Sequence, residues 1–98
     1  MKKLFALALA ALMVLSMAAC SAAEASTLLE QIKAKGKVVV GTEAQYAPYE
    51  FKDLDANFAG CDMWLSQQIA DALGVELEVV DMSFDGIIPA VQSSQVDI

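Results

Sequence analysis

The chain has no histidine, two cysteines and only six basic residues among 98, all six of them lysine. Without histidine, Ser-His triads and Cys-His nucleophile pairs are unavailable. Cys20 and Cys61 stand forty-one residues apart with no histidine beside them, which makes a poor metal site. Positive charge is scarcer still beyond Lys2 and Lys3. Lys33, Lys35, Lys37 and Lys52 face thirteen acidic residues after Cys20, leaving a formal charge of about −9. A segment this acidic repels polyanions, so nucleic acid is excluded as a partner. No cofactor is implied, and catalysis by the usual routes is unsupported.

What is present begins with a secretion signal. Lys2 and Lys3 form a basic start, and Leu4 to Ala19 is an apolar run broken only by Ser16. Sixteen residues fall short of the roughly 20 that a membrane span needs, but they suit a cleaved signal peptide. Ala18 and Ala19 lead into Cys20, which resembles a bacterial lipobox whose cysteine is acylated, although Met17 replaces the usual leucine. The rival cut follows Ala23-Glu24-Ala25 and would release a protein beginning at Ser26. With the lipobox preferred, residues 1–19 are signal peptide and residues 20–26 a tether. Cys61 then has no disulfide partner.

The most informative stretch is GKVVVGTEAQYAPYEF, Gly36 to Phe51. Val38 to Val40 suit a strand buried on both faces. Thr27 with Glu30 fits a capping box for a helix to Lys35, and Gly36 fits its end. Tyr49–Lys52 and Ala56–Gly60 fit a hairpin around Asp53 to Asn57. A helix is expected from Asp62 to Leu73 with Leu65, Ile69, Ala72 and Leu73 facing the core, followed by a strand over Val75 to Val80. Ser83 or Asp85 caps a third helix reaching Gln92, with Pro89 in its first turn. Val96-Asp97-Ile98 reads as the opening of another strand, so a longer protein is expected. Strands alternating with helices imply an α/β fold with a mostly parallel sheet and flanking helices.

Tyr46 and Phe84 follow two parallel strands and therefore open on the same sheet edge. Paired aromatic faces offer an apolar slot that favours a cation. Glu43 and Asp85 share those loops and suit an amine or guanidinium. The structural alternatives are rings folded onto the core, a solvated Glu43 and a capping Asp85; the last is preferred for Asp85. Tyr49 and Phe51 alternate on one strand face and read as core, Cys61 as a small buried residue and Trp64 as a partly exposed aromatic.

Four ordered pieces, TLLEQIKAKGKVVVGT, YAPYEF, GCDMWLSQQIADALG and FDGIIPAVQSSQVDI, resemble the bacterial extracellular solute-binding proteins of family 3. Cys61 and Trp64 depart from the pattern in the third piece. The resemblance implies a periplasmic-binding-protein-like two-lobed clamp, with residues 27–98 forming most of lobe one. It implies an amino-acid ligand, no catalytic role, a membrane permease of an ABC importer as partner, and a lipid-anchored location outside the cytoplasm. It also places Tyr46 and Phe84, with Glu43, in the ligand slot. The other lobe and the carboxylate-gripping arginine would lie beyond Ile98, so this portion alone is expected to bind poorly. The alternatives are an enzyme on the same clamp, such as a prephenate- or arogenate-type dehydratase or a lytic cell-wall enzyme, and a sensor module of a membrane receptor.

Overall fold

A computed structural model describes residues 1–4, 6–9 and 26–98. The cysteine at position 20, both cleavage sites and most of the expected signal lie outside the described residues. Among the described residues no helix is long and apolar enough to cross a membrane.

The first helix of the α/β unit, α1 (Leu28–Lys35), starts with the expected capping box. The Thr27 side chain accepts from Glu30 N–H, and the Glu30 carboxylate accepts from Thr27 N–H at 2.7 Å. Gly36 ends the helix in the left-handed region at φ 73°, where glycine has no Cβ to strain. Strand β1 (Lys37–Thr42) follows at once. Its parallel partner is β5 (Glu76–Asp81), with Val39 opposite Glu78 and Val40 opposite Val79. Between them run β2 (Gln45–Tyr46), β3 (Glu50–Lys52) and β4 (Phe58–Ala59), an antiparallel meander, and then α2 (Cys61–Leu73). The last helix is α3 (Phe84–Gln92).

Both faces of β1 are covered, which is why three valines in a row are needed. Val38, 1% exposed, packs with Ile32 of α1 and Ala70 of α2 on one face. Val39 packs with Ala90 of α3 and Val96 on the other. Strand β5 alternates exposed Glu76 and Glu78 with half-buried Leu77 and Val79, as its sequence predicts.

Residues 96–98 return to the edge of β1 opposite β5. Ile98 N–H donates to the Val39 carbonyl at 3.2 Å, and Gly41 N–H donates to the Ile98 carbonyl at 2.7 Å. Those two bonds flank Val40 and form one parallel rung. The buried Asp97 carboxylate accepts from Val39 N–H at 2.8 Å and from the Lys35 ammonium at 2.6 Å, fixing this return in place. The spatial order is therefore β5, β1, then residues 96–98. One crossover leaves β1 to one side and the next returns to the other, so β1 sits at a topological switch point.

Several expectations need correction. The face of α2 that is buried carries Met63, Ser66 and Ala70, whereas Leu65 is 53% exposed and Ala72 is exposed. Small residues at 66 and 70 let the helix backbone approach the sheet, which bulky neighbours would prevent. Cys61 is exposed because it opens α2 on the solvent side. Tyr49, 47% exposed, lies in the turn before β3 and stacks on Tyr46 with ring centroids 5.4 Å apart, so it is not core. Trp64, at 65% exposed, matches its expectation. Pro89 sits beyond the first turn of α3. The carbonyl that loses its donor is that of Asp85, in an exposed turn where water can replace it.

Candidate functional site

A cavity of about 600 Å³ opens at the carboxyl end of β1, the position where a switch point leaves room between diverging crossovers. Val40 to Glu43 form its floor, and Tyr46 of β2 and Phe84 of α3 stand on its rim. Both rings are well exposed, Tyr46 at 64% and Phe84 at 73%. Glu43 lines the same cavity. The structure places Tyr46, Phe84 and Glu43 around one space. Tyr46 stacks on Tyr49. Asp85 lies in the first turn of α3, where a carboxylate complements the helix dipole, and does not line the cavity.

Two ionisable lining residues escaped sequence reasoning: Glu50 of β3 and Asp62 of α2. Alternation along the strand carries the signal for Glu50, because Tyr49 and Phe51 on one side leave Glu50 on the other. The register then sets Glu50 directly opposite Tyr46. Asp62 is brought in by Gly60. A Cβ on Gly60 would lie 2.1 Å from the Tyr49 carbonyl oxygen, and φ there is 113°, so only glycine fits. This close approach lets Cys61 N–H donate to the Pro48 carbonyl and Asp62 N–H to the Tyr49 carbonyl at 3.0 Å. The start of α2 is thereby docked on the turn that leads into β3.

The electrostatics of the cavity are one-sided. Glu43, Glu50 and Asp62 line it, and among the described residues no lysine does. Glu50 is half-buried, and its Oε2 is buried without a hydrogen-bond partner. Its carboxyl is held above the ordinary carboxylate range, first by a hydrogen bond with the Asp62 side chain, then by burial and the charges of Asp62 and Glu43. Behind the cavity the situation reverses. The Lys52 ammonium lies 2.7 Å from the Asp81 carboxylate and, with the Ala44 N–H at 3.1 Å, holds that carboxyl below its usual value. The ion pair ties the end of β5 to β3, and the Ala44 hydrogen bond ties it to the loop carrying Glu43. Among the described residues no group of three acidic or thiol side chains is placed to hold a metal ion.

The profile of bacterial extracellular solute-binding proteins, family 3, matches residues 38–98. The arginine-binding extracellular protein ArtP of Bacillus subtilis (strain 168) is 37% identical over 98 residues. That alignment covers 100% of this chain and 36% of ArtP, so the chain spans about a third of the relative's length. Among solved structures, the arginine-bound form of domain 1 from TmArgBP superposes with a TM-score of 0.67 at 44% identity, covering 67% of this chain and 52% of that one. An ancestral cyclohexadienyl dehydratase, AncCDT-3(P188L), superposes with a TM-score of 0.71 at 27% identity, covering 76% of this chain and 31% of that one. The α/β fold described above is therefore shared by a binding-protein domain and by an enzyme.

Proposed function

Because the chain belongs to the bacterial extracellular solute-binding proteins, family 3, we propose that it is part of the extracytoplasmic receptor of an ABC importer and that its cavity captures an amino acid with a cationic side chain. The observation that carries this reading is the pairing of two exposed rings with three carboxylates around one cavity. A ring face attracts a cation and offers an apolar wall to its carbon chain. A buried carboxylate oxygen with no partner is costly unless a donor arrives, and an ammonium or guanidinium supplies it. The named ligand of ArtP, and that of domain 1 from TmArgBP, support the same chemistry.

In this reading Tyr46 and Phe84 hold the apolar part of the ligand, and Glu43 with Glu50 receives its positive end. Closing of a second lobe then stabilises the loaded form, which a membrane permease recognises. That the TmArgBP structure is an arginine-bound single domain favours one lobe making much of the contact, against the expectation of poor binding by such a portion. Tyr46→Ala removes about 1–2 kcal/mol of cation–π and apolar contact, so L-arginine affinity measured by calorimetry falls about 5- to 30-fold. Unchanged affinity would remove Tyr46 from the site.

Export rests on the basic start and apolar run of residues 1–19, and anchoring rests on Cys20. Cys20→Ala should move the protein from the membrane fraction to the soluble one; retention in the membrane would favour a different anchor. An enzyme on the same fold is the second reading, favoured by the match to the ancestral dehydratase. Turnover of prephenate or arogenate by the protein would replace the receptor reading with that one.

A further inference from the structure

Lys52 is the one lysine of the meander β2–β4, and it stands two residues from Glu50 on β3. Alternation puts both side chains on the same side of the strand, about 7 Å apart along it, a span that a lysine side chain covers. Left to itself, the Lys52 ammonium would be drawn to the Glu50 carboxylate. Yet Glu50 Oε2 is buried without a hydrogen-bond partner, and Lys52 does not line the cavity. Its ammonium lies instead 2.7 Å from Asp81 at the end of β5, and 5.3 Å from the Phe58 ring centroid on β4. Asp81 stands opposite Thr42 in the parallel register, one place from Glu43, and it does not line the cavity either. Its other oxygen accepts from Ala44 N–H at 3.1 Å, which aims the carboxylate. The other lysines of the α/β unit lie elsewhere. Lys35 pairs with Asp97, Lys37 pairs with Glu78 at the opposite end of β1, and Lys33 lies on α1.

We propose that Asp81 is a specificity-determining residue that acts through Lys52: by holding the ammonium away from Glu50, it leaves the carboxylates of the cavity for a cationic ligand to neutralise. This role rests on the cationic-ligand reading. Asp81 touches no ligand and is a positioning residue for charge. Without it, Lys52 becomes an internal competitor for the place of the ligand's positive end, and the cavity loses its preference for a cation.

The magnitudes fit such a role better than a structural one. The Lys52 and Asp81 side chains are 44% and 32% exposed, so the pair itself adds little to stability. What matters is where the positive charge rests. Beside Asp81 it neutralises a carboxylate outside the cavity. Beside Glu50 it would satisfy the orphaned oxygen that a ligand ammonium or guanidinium otherwise satisfies.

Asp81→Asn tests this, because asparagine keeps an oxygen for the Ala44 N–H and loses the charge that holds Lys52. L-arginine and L-citrulline, which ends in a neutral urea group, are titrated by calorimetry into the full-length protein at neutral pH. Asp81→Asn should weaken L-arginine by about 5- to 20-fold, at the low end for a charged hydrogen bond because Lys52 is partly exposed. L-citrulline should change by less than about twofold, since it brings no charge to compete with. Adding Lys52→Met to Asp81→Asn should return L-arginine to within about threefold of the unaltered protein, because the competitor is gone. Equal losses for the two ligands, no recovery with Lys52→Met, or unchanged L-arginine affinity in Asp81→Asn each overturn the proposal and leave the ligand reading standing. No L-arginine binding by the unaltered protein overturns the ligand reading and this role together. A ligand-free measurement stands beside these. The Glu50 carboxyl ¹³C signal should titrate at lower pH in Asp81→Asn, where Lys52 turns to it, and move back when Lys52→Met is added. An unmoved titration overturns the proposal. Should Asp81→Asn fail to fold, Lys52→Met alone decides. With Lys52 already held off the cavity, its removal should change L-arginine affinity by less than about threefold. A larger gain would mean that Lys52 offsets the carboxylates despite Asp81, which overturns the proposal.

Discussion

The surroundings of Glu50 disfavour its charged form, and that has a pH signature. Its carboxyl is displaced upward by Asp62, by burial and by Glu43, so the folded protein binds a proton there more readily than the unfolded chain. Stability from this group is therefore lost as pH rises from the ordinary carboxyl range through the raised value. Replacing Glu50 with glutamine keeps the shape and removes the charge. The melting temperature of Glu50→Gln should exceed that of the unaltered protein at neutral pH, and the two should converge in mild acid. A lower melting temperature at neutral pH would mean that Glu50 is stabilising, contrary to its surroundings. Asp81 and Asp53 act in the opposite sense. Lys52 holds the first down, and the Asn57 backbone N–H holds the second down. Their contributions are present above the ordinary carboxyl value and disappear as pH falls through the lowered one. Acid thus weakens the loop around the cavity while relieving strain within it.

At the scale of elements, the docking of α2 on the Pro48–Tyr49 turn assembles the acidic wall, and Gly60 makes it possible. Gly60→Ala drives a Cβ into the Tyr49 carbonyl at a backbone angle that side chains avoid. The expected cost is about 2–4 kcal/mol in denaturant unfolding, with L-arginine affinity reduced in whatever fraction folds. An unfolding midpoint like that of the unaltered protein would show that the turn and helix are not locked together. The capping box of α1, the doubly buried valines, the alternating β5 and the Asp53–Asn57 turn all follow from local rules and were legible. Asp53 Oδ1 accepts from both Asp55 N–H and Asn57 N–H, as turn chemistry requires. The phase of α2 was not legible, because large apolar residues mark a core face only when small ones do not pack more closely. Strand direction and the family resemblance both put Tyr46, Phe84 and Glu43 at the sheet edge where the cavity opens. Glu50 and Asp62 were missed because they reach it through β3 pairing and the Gly60 contact, and both of those are tertiary.

For the molecule as a whole, the same switch point that leaves both faces of β1 covered leaves its carboxyl end open. Glu43, Tyr46, Glu50, Asp62 and Phe84 come from five different segments and converge there. Family membership accounts for the fold, whereas the proposed positive charge of the ligand rests on the carboxylates that line the cavity. L-citrulline has nearly the shape of L-arginine but a neutral end, so comparing the two by calorimetry isolates that charge. If the carboxylate wall selects a cation, the full-length protein at neutral pH binds L-arginine about 10- to 100-fold more tightly than L-citrulline, the difference between charged and neutral hydrogen bonds. Equal affinities, or a preference for L-citrulline, would contradict the account.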